Sequence, residues 1–122
     1  AVSGLWLSSC AQEDKNGLRN QAEGVNLVRV SKAEFRKVLT ANPTAVLIDV
    51  RTPNEYMAGK INDAKNIDFQ NASFESEIKK LDKDVLTLIY CQSGGRSGKA
   101  LDQMGQIGFT NVRELEGGYG NW

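Results

Sequence analysis

Two short stretches of the chain are almost wholly apolar. Ala45–Val50 reads AVLIDV and Val85–Tyr90 reads VLTLIY, the pattern of strands covered on both faces in a parallel sheet. Val25–Val30 is apolar too, but polar Asn26 and Arg29 interrupt it, which predicts a short edge strand. Lys65–Ile67 and Asn111–Leu115 predict two weaker strands. Between these stretches, apolar residues recur at helical spacing. Phe35, Val38 and Leu39 share one helix face behind a Ser31-x-x-Glu34 capping box, and Asn42-Pro43 breaks that helix. Thr52-Pro53-Asn54-Glu55 starts a short helix, with Thr52 as N-cap, Pro53 in the first position and Glu55 closing the box, and Gly59 ends it. Ser73 caps a helix with Phe74, Ile78 and Leu81 on one face. Ala100, Met104 and Ile107 mark a last helix that stops at Gly108.

Strands and helices alternate, so the predicted class is α/β, a mostly parallel central sheet flanked by helices. Ligands of such sheets sit beyond the carboxyl ends of strands. Cys91, directly after VLTLIY, occupies that kind of end. Ahead of the alternating part, Ala11–Gly24 reads AQEDKNGLRNQAEG, with Leu18 its one large aliphatic. That is a linker composition and buries no core. The expected organisation is a leading segment 1–9, a tether 10–24 and one domain 25–122, in a chain of 122 residues.

Composition narrows the chemistry. Lys and Arg together number 15, as do Asp and Glu, so bulk charge offers no argument for nucleic acid or another polyanion. No apolar run is long enough to span a membrane. The chain has no histidine, which excludes Cys-His pairs, histidine proton relays and most transition-metal sites. Neither a metal nor another cofactor is expected. Two cysteines, Cys10 and Cys91, are too few for a disulfide framework.

The stretch YCQSGGRSGKA, Tyr90–Ala100, joins a strand end to a helix start. A cysteine becomes a good nucleophile when a helix N-terminus and a nearby cation stabilise its thiolate. The amides of Gln92, Ser93, Gly94, Gly95, Arg96 and Ser97 are expected to converge on the Cys91 sulfur. Gly94 and Gly95 allow positive φ and an anion-binding nest. Arg96 adds a full charge, and Ser97 either donates a hydroxyl hydrogen bond or caps the helix. Two rival motifs fail on spacing. A phosphate-binding G-x-x-x-x-G-K-[ST] loop is spoiled by Ser93 in place of the first glycine and by Ala100 in place of Ser or Thr. Cysteine phosphatases place five residues between nucleophile and arginine, whereas four, Gln92 to Gly95, stand here. The shorter loop makes a smaller cradle, suited to one sulfur atom.

On these residues the chain resembles a rhodanese (thiosulfate sulfurtransferase) domain. CQSGGRS is similar to that family's active loop, LIDVRTPNEYMAGKINDAKNI to its aspartate–arginine strand end with the following helix and turn, and LEGGYGNW to its ending. The likeness runs from about Val25 to Trp122 and is nearest to the small, single-domain, phage-shock type. It implies the rhodanese-like three-layer fold and covalent transfer through a Cys91 persulfide. The donor would be thiosulfate or a related anion, and the acceptor cyanide or a thiol. The loop amides would stabilise the persulfide as an oxyanion hole does, and Arg96 would bind the donor's sulfonate. Asp49 and Arg51 carry over as scaffold, an ion pair at a buried strand end. Lys99, Tyr119 and Trp122 are candidates for the pocket wall or equally for ordinary surface and core. Lys60 and Asn62 stand where the family usually has His and Pro. The likeness also implies a monomer. A partner-dependent sulfur carrier, and more remotely a cysteine phosphatase or arsenate reductase, are the alternatives.

Leu7-Ser8-Ser9-Cys10 resembles a bacterial lipobox, with apolar AVSGLWL before it and the polar tether after it. That resemblance implies lipidation of Cys10, loss of residues 1–9 and a periplasm-facing domain whose membrane contact is the anchor alone.

Overall fold

The computed structural model of the protein describes residues 24–122. Cys10, the segment 1–9 and nearly all of the tether lie outside the described residues. The five strands are β1 (Asn26–Val30), β2 (Val46–Asp49), β3 (Lys65–Asn66), β4 (Thr87–Tyr90) and β5 (Asn111–Leu115). Helix α1 (Lys32–Ala41) follows β1, α2 (Pro53–Ala58) follows β2, α3 (Phe74–Lys79) follows β3, and α4 (Gly95–Ile107) follows β4. A 3₁₀ turn, Tyr119–Asn121, closes the chain.

The strands form one sheet in the order β1-β5-β4-β2-β3, with every pairing parallel. The two continuous apolar runs become the inner strands β2 and β4, and β1 is an edge, as its pattern predicts. Side chains alternate across the pleat. Ile48, Val50, Ile89 and Val112 point to one face, against Phe74 and Ile78 of α3 and Ala100 and Met104 of α4. Leu47, Leu88, Tyr90 and Leu115 point to the other, against Phe35 of α1. The three layers are thus helices, sheet and helices. Each fully buried large apolar side chain contributes about 1.5–3 kcal/mol, so the central strands anchor the fold.

The caps mostly follow the sequence. Thr52 and Glu55 form the reciprocal capping box of α2, and Ser31 accepts from the Glu34 amide at 3.2 Å. Gly108 ends α4 in the left-handed region, at φ +115°. Ser73 differs from expectation. It stands at the N-cap of α3 without capping it, because its near-helical backbone directs the hydroxyl to Asn71 Oδ1, at 2.7 Å. Leu81 lies beyond the end of α3, yet packs on the same core.

Candidate active site

The carboxyl ends of β1, β5, β4 and β2 lie side by side, and each delivers a polar residue. Cys91 follows β4, is 1% exposed and is a free thiol. Its neighbours Ile89 and Val50 belong to the apolar core, so the sulfur sits where that core meets the loop. The Gly94 amide donates to Cys91 Sγ at 3.0 Å. Burial works most strongly against the thiolate. The polar groups of Ser97, Gly94 and Ser93 around the sulfur outweigh it and hold the thiol below its ordinary value. The Ser97 hydroxyl has one proton, and in this structure it donates that proton to Glu114.

The loop is tighter than expected. Only Gln92, Ser93 and Gly94 are non-helical, and α4 begins at Gly95. Gly94 takes φ +106°, and a Cβ there would stand 3.3 Å from the Arg29 guanidinium. Gly95 is already helical, so positive φ is needed at one glycine and not at both. Ser97 does not cap the helix. It lies within the first turn, fully buried, with its hydroxyl on Glu114.

Arg29 and Glu114 are the site residues that the sequence reading missed. They face each other across β1 and β5 in parallel register. Arg29 binds both carboxylate oxygens of Glu114, Nε at 2.6 Å and Nη2 at 3.0 Å, and also gives Nη2 to the Gly94 carbonyl at 2.6 Å. Glu114 has no exposed surface. The signal was present, because a charge inside an apolar strand, Arg29 in VNLVRV and Glu114 beside Arg113 in NVREL, asks for a partner where it is buried. Which partner depends on β1 lying next to β5.

Asp49 and Arg51 form the expected pair, both buried, with Nη2 at 2.7 Å and Nε at 3.0 Å from the carboxylate. Arg51 goes further, donating to the Gln92 side chain at 3.0 Å and to the Gly59 carbonyl at 2.5 Å. It therefore ties the end of β2 to the loop. Arg96 is held by Glu55 through two hydrogen bonds, at 2.8 and 3.1 Å. Those bonds, against some burial, pull the Glu55 carboxyl down to about 2. Arg96 thus stands at the rim with its charge partly committed to α2.

Tyr119 lies on the loop side, with the Arg51 guanidinium 4.3 Å from its ring centre. Trp122 does not reach the loop. It packs edge-on to Phe35 at 5.8 Å, under Arg36 of α1. Lys99 is exposed and borders a groove of about 650 Å³ with Phe69, Glu75, Lys79 and Asp102, a groove that Cys91 does not line. Lys60 lies 5.1 Å over the Tyr56 ring, and Asn62 takes φ +46° in the turn after it. Among the described residues, no three potential metal-ligating side chains come together, and no helix is long and apolar enough to cross a membrane.

A free thiol at a strand end, ringed by amides and backed by cations, is a site for holding an anion on sulfur. Residues 31–122 match the rhodanese-like domain family. Thiosulfate sulfurtransferase GlpE of Pseudomonas entomophila is 37% identical over 78 residues, which cover 64% of this chain and 70% of that one. Protein YqhL of Bacillus subtilis is 38% identical over 78 residues, and the match spans only 60% of its length. Among solved structures, the human single-domain sulfurtransferase TSTD1 matches with a TM-score of 0.63 at 31% identity, over 77% of this chain and 93% of that one. The chain belongs to the rhodanese-like family and is, in class, a rhodanese-type sulfurtransferase.

Proposed function

We propose that the protein moves sulfane sulfur from thiosulfate or a related donor to a thiophilic acceptor through a persulfide on Cys91. The observation that carries this is the Cys91 sulfur beneath amides that favour its anion. The thiolate attacks the outer sulfur of thiosulfate, a new S–S bond forms, and the old one breaks as sulfite leaves with its electron pair. Cys91 then carries an anionic persulfide. Cyanide or a thiolate takes the outer sulfur and returns the thiolate, a two-stage covalent transfer.

Each loop residue has a task. The Ser93, Gly94 and Ser97 amides stabilise charge on the inner sulfur, as preorganised dipoles do in an oxyanion hole. Gly95 and Arg96 add amides in the first turn of α4, at its positive end. The Arg96 side chain, at the rim, meets the donor's sulfonate. Gln92 is held by Arg51 and keeps the loop in register with β2. No cofactor takes part. Cys10, on the strength of LSSC and the polar tether, is proposed as a lipid attachment site that places the domain on the periplasmic side of a bacterial envelope. Loss of metabolic fatty-acid labelling in Cys10→Ala is its test.

The deciding experiment is the intact mass before and after thiosulfate, beside Cys91→Ser. A gain of one sulfur atom, absent in the variant and removed by cyanide as thiocyanate, is the expected result. A gain that cyanide and small thiols leave in place points to a sulfur carrier that waits for a protein partner. No gain on a reduced, alkylatable Cys91 overturns thiosulfate as donor.

A further inference from the structure

Gly94 and Gly95 share a peptide unit, and neither has a side chain to restrict it. Such a pair lets the loop curl, but it also leaves the unit free to turn over about its two flanking bonds. In a trans peptide the carbonyl and the amide point opposite ways. Here the Gly94 carbonyl faces back into α4, where it accepts from the Gly98 amide at 3.1 Å. The Gly95 amide therefore leaves the helix start, where a first-turn amide has no acceptor within the helix. Turned over, the unit would aim a carbonyl oxygen into the cradle of the Cys91 sulfur and withdraw an amide from it. A second donor opposes this, because the Arg29 guanidinium also reaches the Gly94 carbonyl, at 2.6 Å. That bond is the shorter of the two and carries a charge, so it is the stronger grip. Room is made for it on both sides. A Cβ on Gly94 or Gly98 would stand 3.3 or 3.1 Å from Arg29 Nη2. Gly98 lies inside a helix, where glycine is unfavourable, and the close approach of Arg29 accounts for it.

We propose that Arg29 is a positioning residue that locks the Gly94–Gly95 peptide with its amide on the sulfur side, and that Glu114 holds Arg29 in place to do so. The Arg29 side chain is 47% exposed, so nothing but its partners keeps it off the solvent. Glu114, fully buried, takes Nε at 2.6 Å and Nη2 at 3.0 Å, which fixes the guanidinium plane. The same Nη2 then meets the Gly94 carbonyl. An edge strand thus reaches across β5 to the loop at the end of β4 and acts on the sulfur through backbone. With Arg29 in place, turning the peptide over breaks two hydrogen bonds, and without it only the longer one. Where Cys91 carries a persulfide, the locked amide serves that anion too. This consequence rests on the sulfur-transfer reading above, whereas the effect on the bare thiolate does not.

The test is the pH profile of Cys91 alkylation by iodoacetamide, followed by intact mass. A Cys10→Ala background makes Cys91 the one thiol present. Arg29→Lys keeps the charge and can still meet Glu114, but one ammonium cannot hold both carboxylate oxygens and the Gly94 carbonyl. The other charged groups at this end of the sheet, Arg96, Glu55, Asp68, Glu114, Glu116 and the Asp49–Arg51 pair, are unchanged. The variant is made with glycine at position 95 and again with Gly95→Ala. Gly95 is helical and a Cβ there meets nothing within 4 Å, so alanine fits the present conformation. It bars the reversed one, which needs positive φ at residue 95. With Gly95, Arg29→Lys is expected to raise the midpoint by about one pH unit, since an amide leaves the anion and a carbonyl approaches it. With Gly95→Ala, the same change is expected to move it hardly at all. An equal rise in both backgrounds, or no rise in either, overturns the proposal, because a residue acting by charge or by fold alone is not rescued at residue 95. Should Arg29→Lys lack native circular dichroism, Arg29→Gln, whose amide can donate to Glu114, replaces it, and the difference between the two backgrounds decides in the same way. Alkylation needs no sulfur donor, so this proposal and the sulfur-transfer reading fail separately.

Discussion

The Tyr119 amide donates to the Cys91 carbonyl at 2.7 Å, and the next amide, Gly120, to the Gln92 carbonyl at 2.9 Å. The end of the chain is thus stitched to the first two residues of the loop. Gly118 makes this approach possible. It takes φ +67°, and a Cβ there would lie 2.5 Å from the Gln92 carbonyl group and 2.6 Å from the Cys91 oxygen. Gly118→Ala combines backbone strain with a clash against backbone that has nowhere to go. It is expected to lose at least about 1–3 kcal/mol in urea unfolding and to slow sulfur uptake from thiosulfate.

Arg51 is 2% exposed and Asp49 not at all, so breaking their pair leaves a charge stranded. Asp49→Ala is expected to cost about 3–5 kcal/mol by denaturant unfolding. Arg51→Lys is expected to be far from neutral. A single ammonium cannot keep the fork that reaches Asp49, Gln92 and Gly59 together. Reduced thermal stability together with slower sulfur uptake is the expected pair of readouts, since Gln92 loses its tether.

The Glu55–Arg96 pair makes stability depend on pH. The Glu55 carboxyl is held at about 2 in the folded protein, against an ordinary 4.5. A carboxyl held low contributes stability that is present above 4.5 and is lost as pH falls toward 2. Both side chains are partly exposed, 24% for Arg96 and 32% for Glu55, so solvent screening reduces the gain. Glu55→Gln is expected to flatten the fall in melting temperature across that window. It is also expected to release Arg96 and thereby lower the KM for thiosulfate.

Tyr90 carries its hydroxyl to the other side of the sheet, where it accepts from the Ile61 amide at 2.9 Å. Burial pushes its phenol above the ordinary value, so the group stays neutral. Tyr90→Phe strands a buried amide and is expected to cost about 1–3 kcal/mol, read as a lower urea midpoint.

Much of this protein was legible because its signals are local. AVLIDV and VLTLIY name the central strands by their continuous apolarity, and TPNE names a helix start by four adjacent residues. The catalytic candidate is local as well. Cys91, the glycine of positive φ and the helix that begins at Gly95 lie within five residues, so the spacing alone places amides around a sulfur. Where the sequence reading slipped, the competition was also local. Asn71 drew the Ser73 hydroxyl away from its helix, and α4 began early enough to take Gly95 and Ser97 into its first turn.

The tertiary structure decided who meets whom across the sheet. Arg29 and Glu114 are 85 residues apart, and nothing near either one names the other. They meet because β1 and β5 pair in parallel with both side chains on the face beneath α4. The same holds for Gly118 under Gln92 and for Arg51 against Gln92. Backbone preference and hydrophobic period act over a few residues and so determine the strands, the helices and the loop around Cys91. The order of strands is a property of the whole packed core, and that order delivers the second carboxylate, the bracing arginines and the terminal turn to the sulfur.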